Sequence, residues 1–223
     1  MAKFLIHSCS KRQWYVDKYL IPSMLEQGID ANDIAVYQDK IKEGNLKAFL
    51  RSCRQVLELW GTDVGVWHLQ DDVCICHDFK ERVEEHDEGC VCGFTCSYDA
   101  KPKPGLNPMK DIWWSFPCIR IPNAWLPEFL DWVDKYVWSD NQFNSCTRHN
   151  KGDDYLFKAW VVSYRKDEMV YCCKPTLVEH VDYLLGGSYT NPARAKDRNV
   201  RSLYWDDYPL VKDLERRIKN DIH

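Results

Sequence analysis

Val66-Trp67-His68-Leu69-Gln70-Asp71-Asp72-Val73 is the stretch on which the reading of this chain turns. It is an apolar, strand-like run that ends abruptly on two adjacent carboxylates. Side by side at a strand end, Asp71 and Asp72 repel one another, and a divalent cation removes that cost while gaining oxygen ligands. In open α/β sheets, ligands bind just outside the carboxyl ends of the strands, which is where this pair falls. A solvated turn after a strand is the competing reading, and the second half of the chain weighs against it.

Upstream, strands and helices alternate. Phe4-Leu5-Ile6 predicts a short strand, followed by the polar turn from His7 to Arg12. A helix over about 13–27 carries Trp14, Tyr15, Tyr19, Leu20 and Leu25, with Pro22 as a kink and Gly28 as its stop. Residues 33–39 predict a second strand ending on Asp39. The clearest helix runs from Leu46 to Trp60, its apolar residues at three-four spacing, with Asn45 as N-cap and Gly61 beyond its end. Val64–Leu69 is then the third strand. This β-α-β-α-β order is that of a Rossmann-type, mainly parallel sheet flanked by helices, an α/β fold. Neither Gly-x-Gly-x-x-Gly nor Gly-x-x-x-x-Gly-Lys-Ser/Thr occurs. Without a glycine cradle, a nucleotide bound here needs a metal for its phosphates, which returns the argument to Asp71 and Asp72.

Length and charge bound the rest. The 223 residues suit one α/β domain, with residues 1–76 as a nucleotide-binding half, 77–190 as an acceptor and metal half, and 191–223 as a C-terminal basic and aromatic segment with a helix. A net charge of −4 gives no global pull toward nucleic acid or anionic membrane. The N-terminal residues lack the apolar core of a signal peptide, and no apolar run approaches the ~20 residues that span a bilayer. A cytoplasmic protein is therefore expected, with its 11 cysteines mostly buried thiols.

The second half has a different texture. Residues 90–121 hold irregular strand-like runs broken by Pro102, Pro104, Gly105 and Pro108, which read as a mobile loop. A helix follows over about 124–138, then a polar loop to Asp153-Asp154, a further helix over about 155–164, and a short strand at 169–173. Next comes Pro175-Thr176-Leu177-Val178-Glu179-His180.

Taken together, Gln70-Asp71-Asp72-Val73 after an apolar strand, Gly152-Asp153-Asp154 opening a helix, and the Pro-x-Leu-Val-x-His ending at His180 resemble the metal-dependent glycosyltransferases of the GT-A fold, in particular their small bacterial and phage members. The resemblance spans about residues 4–190, though its specific motifs cover about twenty positions. It departs from the family at Gln70, where a carboxylate is usual. What it implies is transfer of a sugar from a nucleoside-diphosphate donor, UDP-linked, to an acceptor hydroxyl on a glycan or a hydroxylated DNA base. Carried over, Asp72 is the direct ligand of a divalent cation, Mn2+ or Mg2+, Asp71 meets the ribose or supports the ligand shell, and His180 completes that shell. Imidazole with carboxylate suits manganese better than magnesium or calcium. A core histidine is the competing reading for His180.

Sugar transfer needs a stabilised leaving diphosphate and a base for the acceptor hydroxyl. The resemblance places that base at Asp154, or at Asp153 beside it; helix capping is the other role open to both. It also places Ser8, Ser10 and Arg12 beside the base and phosphates of the donor, and Asp39 against the uracil or ribose. A different class of function rests on Cys74-x-Cys76-His77 and Cys90-x-Cys92-x-x-x-Cys96, six soft ligands within 23 residues. They would make the chain a zinc-stabilised, cysteine-rich binding module without catalysis, although Cys-x-Cys matches zinc knuckles poorly and packs equally well as buried thiols. The C-terminal Arg194, Lys196, Arg198 and Arg201, with Tyr189, Tyr204 and Trp205, could track a phosphate backbone or the leaving diphosphate.

Overall fold

The computed structural model describes residues 1–41, 44–94, 103–109, 116–137, 153–186 and 205–222. Its first half follows the expected alternation. Strand β1 (Lys3–Cys9) leads into a helix α1 over residues 13–26, then β2 (Ile34–Asp39), α2 (Asn45–Trp60) and β3 (Gly65–Gln70). The kink in α1 is a π turn at Val16–Leu20, with the Ile21 N–H reaching back five residues to Val16. The ladder has thus already stepped when Pro22, which has no N–H to offer, arrives.

The start of α2 differs from expectation. Asn45 is the first helical residue and Gly44 holds the cap position, with φ 91° and no side-chain cap bond. That backbone conformation is open to glycine and strained for Asn, so the cap moves one residue upstream. At the other end Gly61, with φ 70°, stops the helix as expected. Phe49, Leu50, Cys53 and Val56 form the buried face of α2, each large apolar side chain contributing about 1.5–3 kcal/mol relative to exposure.

After β3 come β4 (Val73–Ile75), α3 (Phe79–Glu85), β5 (Cys90–Cys92), β6 (Gly105–Met109), β7 (Cys118–Pro122), α4 (Leu126–Trp132), α5 (Asp153–Tyr164), β8 (Val170–Lys174), β9 (Val178–His180) and α6 (Tyr208–Ile222). Seven strands make one sheet in the order β2-β1-β3-β7-β5-β8-β6, and β4 pairs with β9 in a separate ladder. The pairings set β2, β1, β3, β5 and β8 running one way and β7 and β6 the other. The α/β fold, a mainly parallel central sheet between helices, is therefore present. The region 90–121 is not the mobile loop expected from sequence: its described residues supply three of the sheet's strands. Pro108 is accommodated because β6 is an edge strand, where a missing N–H costs no ladder bond.

Two apolar cores lie on opposite faces of the sheet. One gathers Phe4, Ile6, Trp67 and Leu69 with residues of α1, α3 and α6; the other gathers Leu5, Val66 and Ile119 with α2, α4 and α5. The crossovers after β1 and after β2 thus pass on opposite faces, which opens a crevice at the carboxyl ends of β1 and β3, the switch point of such sheets. Among the described residues no helix is long and apolar enough to cross a membrane.

Candidate functional site

A cavity of about 290 Å³ occupies that crevice. It receives Ser8 and Cys9 from β1, Tyr37 and Asp39 from β2, His68 and Gln70 from β3, and the paired Asp71 and Asp72 beyond it. Register explains the convergence. β1 pairs in parallel with both β2 and β3, and His7 stands opposite Tyr37 on one side and Gln70 on the other. Three strand ends therefore arrive at one level.

The carboxylates do not face water. Asp71 and Asp72 are 6% and 5% exposed, and Arg12, equally buried, lies between them. Its Nη1 is 3.1 Å from Asp71 Oδ1 and also donates to Asp72 Oδ2. Asp71 accepts a second bond, 2.7 Å, from the backbone N–H of Cys9. On the far side His180 Nε2 lies 3.1 Å from Asp72 Oδ2, and Asp182 stands 3.7 Å from the other imidazole nitrogen. Asp72 and His180, 108 positions apart, are joined through the backbone as well. Val73 pairs with His180 in the β4–β9 ladder, and the Val181 N–H donates to the Asp72 carbonyl at 2.8 Å.

Electrostatics follow from this packing. Burial alone would raise the Asp72 carboxyl, but His180 and Arg12 outweigh it and hold it down to about 2. Burial works to lower His180, and the Asp72 carboxylate overrides it, raising the imidazole to about 9. Asp71 moves the other way, pushed up by burial and then by its neighbour Asp72. At neutral pH the Asp72 carboxylate is thus faced by one guanidinium and one imidazolium. Several atoms are left over: Asp72 Oδ1, like His180 Nδ1 and Asp182 Oδ1, is buried without a hydrogen-bond partner among the described residues. A bare carboxylate oxygen in such a place is costly, and it is a donor suited to a hard cation.

The opposite wall is neutral and aromatic. His7 Nε2 and His68 Nδ1 share a hydrogen bond of 2.9 Å. Phe49 from α2 lies against both rings, at 5.8 and 5.9 Å between centroids, and Phe116 packs on Phe49 at 5.5 Å. Burial lowers His7 to about 4; burial, then its neighbour His7, carries His68 well down. These residues were not among those expected from sequence. The available signal was strand alternation: Leu5 and His7, Val66 and His68 fall on one face, while Phe4, Ile6, Trp67 and Leu69 fall on the other.

Of the expected nucleotide contacts, Ser8, Arg12, Asp39 and Asp71 line the cavity, and Asp72 and His180 join them. Ser10 does not: it is exposed in the turn after β1 and lies outside the lining, because the turn carries it away from the sheet edge. Helix α5 begins at Asp153, and the side chains of Asp153 and Asp154 lie outside the described residues. So do Cys96 and the segment from Tyr189 to Tyr204, whereas Trp205 is buried. The cysteine cluster divides. Cys74 and Cys76 pack into one core, Cys90 and Cys92 into the other across the sheet, and His77 is exposed beside Asp207. The described members of the set therefore do not converge on a zinc ion, and among the described residues no three metal-type donors form a group.

No protein-family model matches the chain, and no curated protein matches it. Among solved structures it is similar to a glycosyltransferase involved in the glycosylation of the major capsid of PBCV-1, at 11% sequence identity over 97% of this chain and 98% of that one, with a TM-score of 0.43.

Proposed function

We propose that this chain is a glycosyltransferase that moves a sugar from a UDP-linked donor to an acceptor hydroxyl with the help of a divalent cation. The observation that carries this reading is the meeting of Asp72 and His180 beside Asp71 and Arg12, at the carboxyl ends of parallel strands and on the wall of a cavity. The donor set suits a cation: an unpartnered buried carboxylate oxygen on Asp72 and an imidazole nitrogen 3.1 Å from its other oxygen. Two protein ligands are few, and hard cations such as Mg2+ and Mn2+ commonly take the rest of their shell from substrate phosphates and water. Asp72 and His180 would hold the ion, which when bound supplies Lewis-acid stabilisation of the departing diphosphate.

The chain's own residues do the remaining work. Arg12 and the Cys9 N–H fix the Asp71 carboxylate, which makes Asp71 a positioning residue and a contact for the ribose. Asp39, at the end of β2, faces the same space. His180 must give up its Nε2 proton to serve as a ligand. Asp154, one residue into α5, is the proposed base for the acceptor hydroxyl, with Asp153 beside it as the alternative. With a net charge of −4, a glycan is the favoured acceptor over a hydroxylated DNA base.

The test is release of UDP from a panel of UDP-sugars by the purified protein, with Mn2+, with Mg2+ and with chelator. Turnover that needs the metal and is lost in Asp72→Asn supports the reading. Turnover indifferent to chelator removes the metal from it, and no turnover or binding of any nucleoside-diphosphate sugar overturns it.

A further inference from the structure

The charged wall of the cavity leaves the neutral wall without a task. His68 is 1% exposed, lines the cavity, and has a buried Nε2 with no hydrogen-bond partner among the described residues. An unmade hydrogen bond on a buried imidazole is costly, and Phe49, which lies against the ring, offers nothing to repay that. A ligand group that reaches Nε2 does.

What that group can be follows from the pairing with His7. Two neutral imidazoles carry two ring protons among four nitrogens, and one proton lies in the shared bond. If His7 Nε2 donates, then His68 Nδ1 accepts and Nε2 of His68 carries hydrogen. If His68 Nδ1 donates, Nε2 of His68 is bare and accepts. Both rings change tautomer together, and neither state brings charge into the recess.

We propose that His68 reads the edge of the donor's pyrimidine, and that the His7–His68 pair lets it meet a carbonyl or an amino group at that edge equally well. The inference rests on the nucleotide reading above and specifies its substrate: the site takes uracil and cytosine nucleotides alike. A flat heterocycle suits a recess lined by Phe49 and Phe116 because its faces are apolar while its edge makes few, directed hydrogen bonds. A sugar, ringed with hydroxyls, would need several polar partners there. His7 acts through His68 and is a positioning residue.

The experiment is calorimetric titration of the wild type, His68→Phe and His68→Gln with UDP, CDP and pyrophosphate, each with Mn2+. The wild type is expected to bind UDP and CDP within about ten-fold of one another. In His68→Phe both affinities fall about ten-fold, the loss of one hydrogen bond to a buried group, while pyrophosphate, which reaches only the charged wall, binds as before. A preference above ten-fold for one pyrimidine, or unchanged binding of both by His68→Phe, overturns the inference and leaves the nucleotide reading standing. No binding of UDP by the wild type overturns both. Should His68→Phe fail to fold, His68→Gln replaces it: its amide can turn either face, so retained and equal binding supports the inference, and a preference above ten-fold overturns it. Imidazole 15N shifts give the signature a structural role would not: opposite His68 tautomers in the UDP and CDP complexes, where the same tautomer in both overturns the tautomer exchange.

Discussion

His180 and His7 are two imidazoles on the walls of one cavity, and burial treats them in opposite ways. His180 is raised to about 9 because the Asp72 carboxylate, 3.1 Å away, overrides desolvation. His7 is lowered to about 4 because its neighbour is another neutral ring and nothing overrides it. Burial sets the size of the stake, and the identity of a single neighbour sets the sign. The cavity therefore has a wall that holds charge and a wall that excludes it. Such a division suits a ligand with an anionic end and a flat, uncharged end.

The strongest way to break the comparison is to remove the counter-charge. Asp72→Ala leaves Arg12 and His180 buried without it, and losing one partner of a buried pair typically costs about 3–5 kcal/mol. Metal-dependent turnover is expected to vanish, and urea unfolding should show the lost stability. Retention of both would mean that the charged wall is held by other groups.

Next in size is a change on the acceptor side. Asp154→Asn keeps the size and capping ability of the residue while removing its basicity. Donor affinity should stay within a few-fold of wild type while transfer falls by about two to four orders of magnitude, the usual contribution of a positioned base. Equal losses of binding and turnover would assign Asp154 a structural role, and full activity would move the base to Asp153 or dispense with one.

The neutral wall predicts acid lability. The unfolded chain takes up protons on these rings near pH 6.5, but folded His7 does so only near 4. The contribution of His7 is therefore complete above about pH 6.5 and is lost as pH drops toward 4, by about 3 kcal/mol at the lower end. Urea midpoints at pH 7 and 5 measure it. The double variant His7→Phe with His68→Phe should flatten the slope, and an unaltered slope would place the lability elsewhere.

The smallest effect tests the frame beneath that wall. Gly44→Ala forces a Cβ onto a backbone with φ 91° and should cost about 1 kcal/mol. Asn45→Ala should leave thermal stability within about 0.5 kcal/mol, since Asn45 is not the cap. The reverse order would restore the cap to Asn45.

Much of this arrangement was legible in the sequence, for reasons that explain the rest. Strand, helix and strand through Gln70 follow from local periodicity, and the acidic pair stands out because two carboxylates at a strand end are costly unless something offsets them. His180 could be joined to Asp72 only through resemblance to a known motif, because no local pattern links positions 108 apart. Arg12 was placed near phosphates, and its position between Asp71 and Asp72 depends on how the turn after β1 folds back. The His7–His68 pair was missed because each histidine alone is an ordinary strand residue, and only register brings them together. The sheet's second half was read as irregular because three- and five-residue strands carry too few residues to display a period.

The β4–β9 ladder has a consequence for how such a chain tolerates change. Asp72 and His180 are held on neighbouring rungs by backbone bonds, Val73 against His180 and Val181 to the Asp72 carbonyl. The hundred residues between Ile75 and Val178 begin and end at that clasp. Connections within them can lengthen, shorten or take up an inserted module, and the separation of the two side chains does not register the difference. The clasp frees the intervening chain to diversify while the pair of side chains at its base stays where it is.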